Sequence, residues 1–201
     1  MKKIMLFISL LLISLLSSCS FLRPKSISEI YDVISKSDNY KVTAIFDVSF
    51  VVANYVAEID TDNVHFKGTA GLLGIGGTEE YYLSVEDGDT YKYTVRDDGY
   101  IEKEKCLKTI EEESDVDTSW LVLFDEKCYT FNHSDTTYYM RDDMPIIDDD
   151  GNMFFDAKIR IGENEEYYTI SFTTINSGMS VRCRIVISDI GKISIVLPDI
   201  D

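Results

Sequence analysis

From Tyr40 onward the chain keeps a strict alternation: Tyr40, Val42, Ala44, Phe46, Val48, Phe50 and Val52 stand at every second position, separated by Lys41, Thr43, Ile45, Asp47, Ser49 and Val51. A period of two turns one face of a β-strand toward a core, and a helix scatters the same pattern around its axis. Runs rich in Tyr, Phe, Val, Ile and Thr recur over 54–67, 79–86, 90–96, 100–105, 129–132, 136–141, 153–161, 167–174, 180–187 and 192–197. These residue types pack well on a pleated surface, so each run is expected to be a strand. Between them lie Asp87-Gly88, Asp98-Gly99, Asp150-Gly151-Asn152, Asn176-Ser177-Gly178 and Ile190-Gly191, which supply the positive φ that tight hairpins demand. Sequential strands should therefore pair as an antiparallel meander, giving a mainly β (α+β) fold.

Three segments break the alternation. Over 26–37, Ile27, Ile30, Tyr31 and Ile34 fall at helical spacing, with Ser26 or Ser28 as N-cap and Glu29 in the first turn, so a helix is expected there. At 115–127 a short helix capped by Asp117 or Ser119 would carry Trp120, Leu121, Leu123 and Phe124; Trp-Leu-Val-Leu-Phe fits a buried strand equally well. The glycine run 68–77 is apolar and flexible at once, and it is no P-loop, because Gly77 is followed by Thr78-Glu79-Glu80 instead of Lys-Ser/Thr and a helix. It reads either as a hairpin connection or as a lip over an apolar cavity, with Leu72, Leu73 and Ile75 contacting lipid.

The chain starts with Met1-Lys2-Lys3, an uncharged apolar run from Ile4 to Leu16, and Leu16-Ser17-Ser18-Cys19. This is the layout of a secretory leader, and the run is well short of the ~20 residues that span hydrocarbon. Leu16-Ser17-Ser18-Cys19 resembles the bacterial lipobox. That resemblance implies cleavage after Ser18, lipidation of Cys19 and anchoring on the extracytoplasmic face of the cell membrane. Residues 1–18 then form the signal peptide, 19–26 a lipidated tether and 27–201 a single domain. The absence of a 20–50-residue repeat and of a Pro/Ser-rich linker agrees with one domain.

The full chain has 19 basic and 36 acidic residues and a net charge of −17; losing Lys2 and Lys3 leaves 17 basic residues and a net −19. Such a balance argues against nucleic-acid binding and for solubility outside the cell. Catalytic constellations are missing from the sequence: Gly-x-Ser-x-Gly is absent, and the only histidines, His65 and His133, lie far apart outside any metal-ligand motif. No catalytic residue, cofactor or metal is expected. Asp148-Asp149-Asp150-Gly151-Asn152 comes nearest to a calcium loop, but Ile146 and Ala157 occupy the first and twelfth ligand positions of an EF-hand, so a solvated turn is expected. With Cys19 lipidated, Cys106, Cys128 and Cys183 remain. A Cys106–Cys128 bridge closes the shortest loop, and three reduced buried thiols fit as well.

Taken together, the lipidated cysteine, tether, single amphipathic helix and Tyr-rich meander resemble the LolA-like lipoproteins, a superfamily that includes the LolA/LolB carriers and the LppX/LprG lipid-binding lipoproteins. The resemblance rests most on the closing Ser188-Asp189-x-Gly191-Lys192-x-x-Ile195-x-Leu197-Pro198 and on Tyr82-Leu83-Ser84-Val85-Glu86-Asp87-Gly88-Asp89-Thr90-Tyr91. It implies a half-barrel, a strongly curved antiparallel sheet with one or two helices on its concave side, holding acyl chains between sheet and helix. Val42, Phe46, Val48, Phe50, Tyr55 and Ile59 would line that concavity, although a filled core would use the same residues. The expected protein is a monomeric, non-catalytic binding module for an apolar ligand, a lipid or a lipoprotein's acyl chain. The alternative is a solid-core lipoprotein that meets an envelope protein or glycan through acidic, Tyr-bearing loops such as Tyr138-Tyr139.

Overall fold

The computed structural model describes residues 25–48, 51–72, 75–110, 119–144, 146–148, 151–176 and 178–200. Cys19, Phe50, Leu73 and the leader lie outside them, as does most of the tether. The described residues hold one α-helix of at least two turns, α1 (Ile27–Ser35), and twelve strands: β1 (Asn39–Val48), β2 (Val51–Asp60), β3 (Asn63–Leu72), β4 (Ile75–Glu86), β5 (Asp89–Val95), β6 (Ile101–Lys105), β7 (Tyr129–Asn132), β8 (Thr137–Met140), β9 (Ile146–Ile147), β10 (Met153–Ile161), β11 (Tyr167–Asn176) and β12 (Met179–Ser188).

All strands join one antiparallel sheet in the order β6-β5-β4-β3-β2-β1-β12-β11-β10-β8-β7, with β9 on β10. It is an open sheet, since β6 and β7 are its two edges and do not pair. The expected meander is present as two meanders joined at a seam, where β1 pairs with β12 from Lys41 opposite Ser188 to Asp47 opposite Arg182.

The seam sets one common face. Across it, Val42 faces Ala57 and Ile187, and the row continues to Phe66 and Tyr81 on one side and to Tyr168 and Ile161 on the other. The next row joins Ala44, Ile185, Ile170, Ile159 and Tyr138. These side chains are buried with Ile27, Ile30 and Ile34 of α1 and with Leu123 and Phe124, so the core lies between this helix face of the sheet and the segments above it. The far face is polar and solvated, as suits an antiparallel sheet covered on one side.

Local chemistry explains the borders. Ser26 Oγ accepts from the Glu29 amide at 3.2 Å, and the Glu29 carboxylate accepts from the Ser26 amide at 2.6 Å. This capping box starts α1 one residue after the cap and is worth about 1 kcal/mol. The β4–β5 turn is made by Asp87 and Gly88, both at positive φ (53° and 86°), which is the twist a two-residue hairpin needs.

Three sequence expectations are corrected, and one alternative is decided. The run 54–67 is split by a turn at Thr61-Asp62, with Thr61 at φ 34°; Asp and Asn are residue types that favour turns without glycine, and the Asp60 carboxylate here accepts from the Asn39 side chain at 3.1 Å. The run 40–52 is likewise two strands, with Val48 paired to Val51. Segment 192–197 is not a strand: the Asn39 side chain pins it, accepting from the Ile193 amide and donating to its carbonyl, both at 2.8 Å. Of the two alternatives for 115–127 the short helix is found and the buried strand is not: Ser119–Phe124 is a 3₁₀ helix that buries Leu123 and Phe124.

Candidate functional site

Val42, Phe46, Val48, Tyr55 and Ile59 all point to the helix face, as their alternation demands. Only Val42 is fully buried there; the other four are half-buried. Phe46, Tyr55 and Phe66 form an aromatic chain with centroid spacings of 5.6 and 5.7 Å, and Phe66 stacks on Tyr81 at 4.8 Å. Lys92 closes the chain, its Nζ lying 4.2 Å from the Tyr81 ring centroid. Helix α1 begins over β8 and β11, where Tyr138 donates to the Lys25 carbonyl at 2.9 Å and Lys25 meets Tyr168 and Glu165 at 3.2 and 2.8 Å. It leads directly into β1 at Asn39, so it crosses the half of the sheet where β1 begins. Phe46 and Tyr55 belong to the other half.

That other half ends in an apolar rim. The central hairpins β3–β4, β1–β2 and β11–β12 turn at the same end of the sheet, and residues 48–52, 69–78 and 175–181 contain no charged side chain. Described residues on this rim are strongly exposed: Val51 38%, Val52 46%, Leu72 51%, Ile175 52% and Met179 55%. The turns at the opposite end are acidic, namely Asp60-Thr-Asp-Asn63, Glu86-Asp-Gly-Asp89 and Gly162-Glu-Asn-Glu-Glu166. The outer turns at the rim's own end are charged, with Arg96-Asp97-Asp98 after β5 and Arg141-Asp142-Asp143 after β8, so the uncharged surface is the middle of that end, built from three separate hairpins.

The glycine run takes its place in the rim. Strands β3 and β4 pair through it, Gly71 opposite Gly76 and Leu72 opposite Ile75. A Cβ on Gly76 would lie 2.0 Å from the Ala70 carbonyl oxygen and 2.6 Å from Gly71 Cα. Glycine is therefore required there to let two strands pass closely. Leu72, one of the lip residues, is at this tip.

On the far face His65 is bracketed by two carboxylates. Its Nδ1 is 3.1 Å from Glu58 and its Nε2 is 3.0 Å from Glu80, and its ring stacks on Tyr82 at 4.3 Å. Glu58 also takes Lys41 at 2.8 Å, and Glu80 takes Lys67 at 2.7 Å. Hydrogen bonds from Lys41 and then His65 hold the Glu58 carboxyl below its ordinary range; those from Lys67 and His65 do the same for Glu80. The sequence shows no motif around His65 and does not reveal its partners, which β2, β3 and β4 bring together across strands. The signal was present in the alternation, which puts Glu58, His65 and Glu80 on one face once the turn at 61–62 is recognised.

The remaining candidates do not assemble a second site. Cys106, Cys128 and Cys183 are reduced thiols, so the Cys106–Cys128 bridge is not formed. Cys128 lies buried beside Asp125, and burial first and that carboxylate second push its thiol up, away from reactivity. Tyr138 and Tyr139 belong to β8, where Tyr138 is buried and Tyr139 donates to Asp135 at 2.6 Å; they are not loop side chains offered to a partner. Asp148 accepts from the amide and side chain of Asn152, both at 2.7 Å, closing its turn on itself. Among the described residues no group of three or more His, Cys, Asp or Glu is arranged to hold a metal ion, and no helix is long and apolar enough to cross a membrane. The class defined so far is a mainly β protein with a wide open antiparallel sheet, one covering helix and an apolar rim. No family model matches the chain, and no curated protein matches it.

Proposed function

We propose that this chain is a lipoprotein anchored through Cys19 on the extracytoplasmic face of the cell membrane, and that it works as a non-catalytic binding module for an apolar ligand, a lipid or the acyl chain of another lipoprotein. Its sheet is a half-barrel of the LolA-like kind, with α1 and the 119–124 segment on the concave side. The observation that carries this reading is the apolar rim: Val51, Leu72 and Met179 stand exposed at the end of the sheet where Phe46 and Tyr55 are only half-buried. An acyl chain would enter between the rim and the aromatic chain of Phe46, Tyr55 and Phe66. Each methylene taken from water there contributes about 0.8 kcal/mol.

Native mass spectrometry on the domain purified from a bacterial envelope, before and after organic extraction, tests it. The expected result is a stoichiometric lipid that is lost on extraction and taken up again when added, with uptake reduced in Leu72→Asp and Val51→Asp. A bare mass in both states with no uptake of added lipid would sink the proposal.

A further inference from the structure

The far face of the sheet treats its cations in two different ways. On the β1–β6 side, Lys41 pairs with Glu58, Lys67 with Glu80, Lys103 with Glu86 and Lys105 with Asp89, all at 2.6–2.8 Å. On the other side of the seam, Lys158 and Arg160 of β10 and Arg182 and Arg184 of β12 are exposed on the same face. None of these four has a carboxylate within 4.0 Å among the described residues. Lys158 lies over the Tyr139 ring at 5.4 Å, which orients it without neutralising it. In a chain with 36 acidic against 19 basic residues, these four cations stand together without an ion pair among the described residues, Asp47 across from Arg182 on β1 being the one acid paired in register with them.

The register gives the cluster its shape. Arg184, Ser171 and Lys158 share one row; Arg160 and Thr169 share the next, and Arg182 and Thr173 the one on the other side. Strands β12 and β10 are two strand spacings apart, about 10 Å, and neighbouring rows on one face are about 7 Å apart. The four cations therefore form a diagonal stripe roughly 17 Å long, floored by the hydroxyls of Thr169, Ser171 and Thr173.

From this we infer that the far face of β10–β12 binds a linear polyanion whose charges are phosphodiester groups. Arginine forks grip phosphate oxygens bidentately, and the central hydroxyls donate to the oxygens left over. A stripe suits a chain of regularly spaced charges better than a single ion, which could touch only part of it. An acidic protein partner fits less well, because protein interfaces rely on aromatic anchors in pockets, and the aromatic ring at this stripe, Tyr139, already lies under Lys158. An anionic bilayer fits less well too, because a sheet lying flat on it would bring the acidic turns 60–63 and 162–166 against like charge. The inference is independent of the apolar rim and of what the helix face holds.

The test measures binding of a synthetic glycerol-phosphate octamer to the chain from residue 20 onward, which contains every described element and the whole core. Affinity is expected to fall with salt, with a log–log slope of about −3 for four neutralised phosphates. The double variant Arg182→Ser/Arg184→Ser should bind at least tenfold more weakly and roughly halve that slope. Lys105→Ser, on the paired side of the same face, should change affinity less than twofold. All three substitutions are at exposed positions, and circular dichroism checks that each variant stays folded. No binding at low salt, or an equal loss in Lys105→Ser, overturns the inference. Equal or tighter binding of poly-glutamate would assign the stripe to acidic protein segments and overturn it; binding to phosphatidylglycerol vesicles without binding to the octamer would assign it to headgroups and overturn it as well.

Discussion

Ile30 is the most direct test of how firmly α1 holds the sheet. It has no exposed surface, and it lies in the same core cluster as Ile34, Leu123 and Ile187. Ile30→Ala removes three carbons, and at about 0.8 kcal/mol per methylene the lost transfer energy is about 2.4 kcal/mol. A cavity that closes only partly adds to this, within the 2–5 kcal/mol spanned by such substitutions, while the better helix propensity of alanine returns about half a kcal/mol. The expected net loss is about 3 kcal/mol. In urea, with a slope of about 2 kcal/mol/M, the midpoint should fall by about 1.5 M. Tyr31→Ala on the neighbouring position, 39% exposed and 5.9 Å from Phe124, should cost clearly less. A loss below about 1 kcal/mol for Ile30→Ala at an unchanged slope would refute the close packing of helix on sheet.

Two further outcomes follow from the geometry. Gly76→Ala should force β3 and β4 apart at the rim, because its Cβ meets the Ala70 carbonyl; amide exchange at 69–78 should quicken while the rest of the sheet keeps its protection, and unchanged exchange would contradict the close approach. Glu58, Glu80 and Glu86 have carboxyls held below their ordinary range by Lys41, Lys67 and Lys103 respectively. Groups depressed on folding add stability that is present above the unfolded value of about 4.3 and is lost as pH falls through the folded value. The melting temperature should therefore drop as pH goes from neutral toward 3, with a shallower drop in Glu80→Gln, and an identical slope in that variant would count against the pairing.

Much of the fold was legible because period-two alternation is a local property. Strand β10 runs over the span that its pattern marks, and Asp87-Gly88 turns where its chemistry says. The errors fall where alternation continues across a turn. Val48, Phe50 and Val52 keep phase past the end of β1, and Asp60-Thr-Asp-Asn63 turns without a glycine. What no local pattern carries is the seam between β1 and β12, which joins residues more than a hundred positions apart. The triad of Glu58, His65 and Glu80 depends on a register set by a missed turn. The stripe of Lys158, Arg160, Arg182 and Arg184 depends on β11 lying between its two halves. The apolar rim was visible in part, through the unusual glycine run, but its continuation into 48–52 and 175–181 needs the topology.

The seam also changes what the net charge means. Averaged over the chain, −17 predicts repulsion of every anion. The fold sorts that charge: on the far face of the β1–β6 side Lys41, Lys67, Lys103 and Lys105 each meet a carboxylate, the turns 60–63, 86–89 and 162–166 at one end are acidic, and the central hairpins at the other end carry no charge. What is left over is cationic, on one side of one face. At physiological salt the screening length is about 8 Å, shorter than a ten-residue strand of about 33 Å, so each region acts on what touches it more than the total does. An anion meeting the acidic end is repelled, and one meeting β10–β12 face-on is attracted. The surface therefore orients an anionic partner before any contact is made, and Arg182 and Arg184, on the strand that pairs with β1, stand where the change of sign occurs.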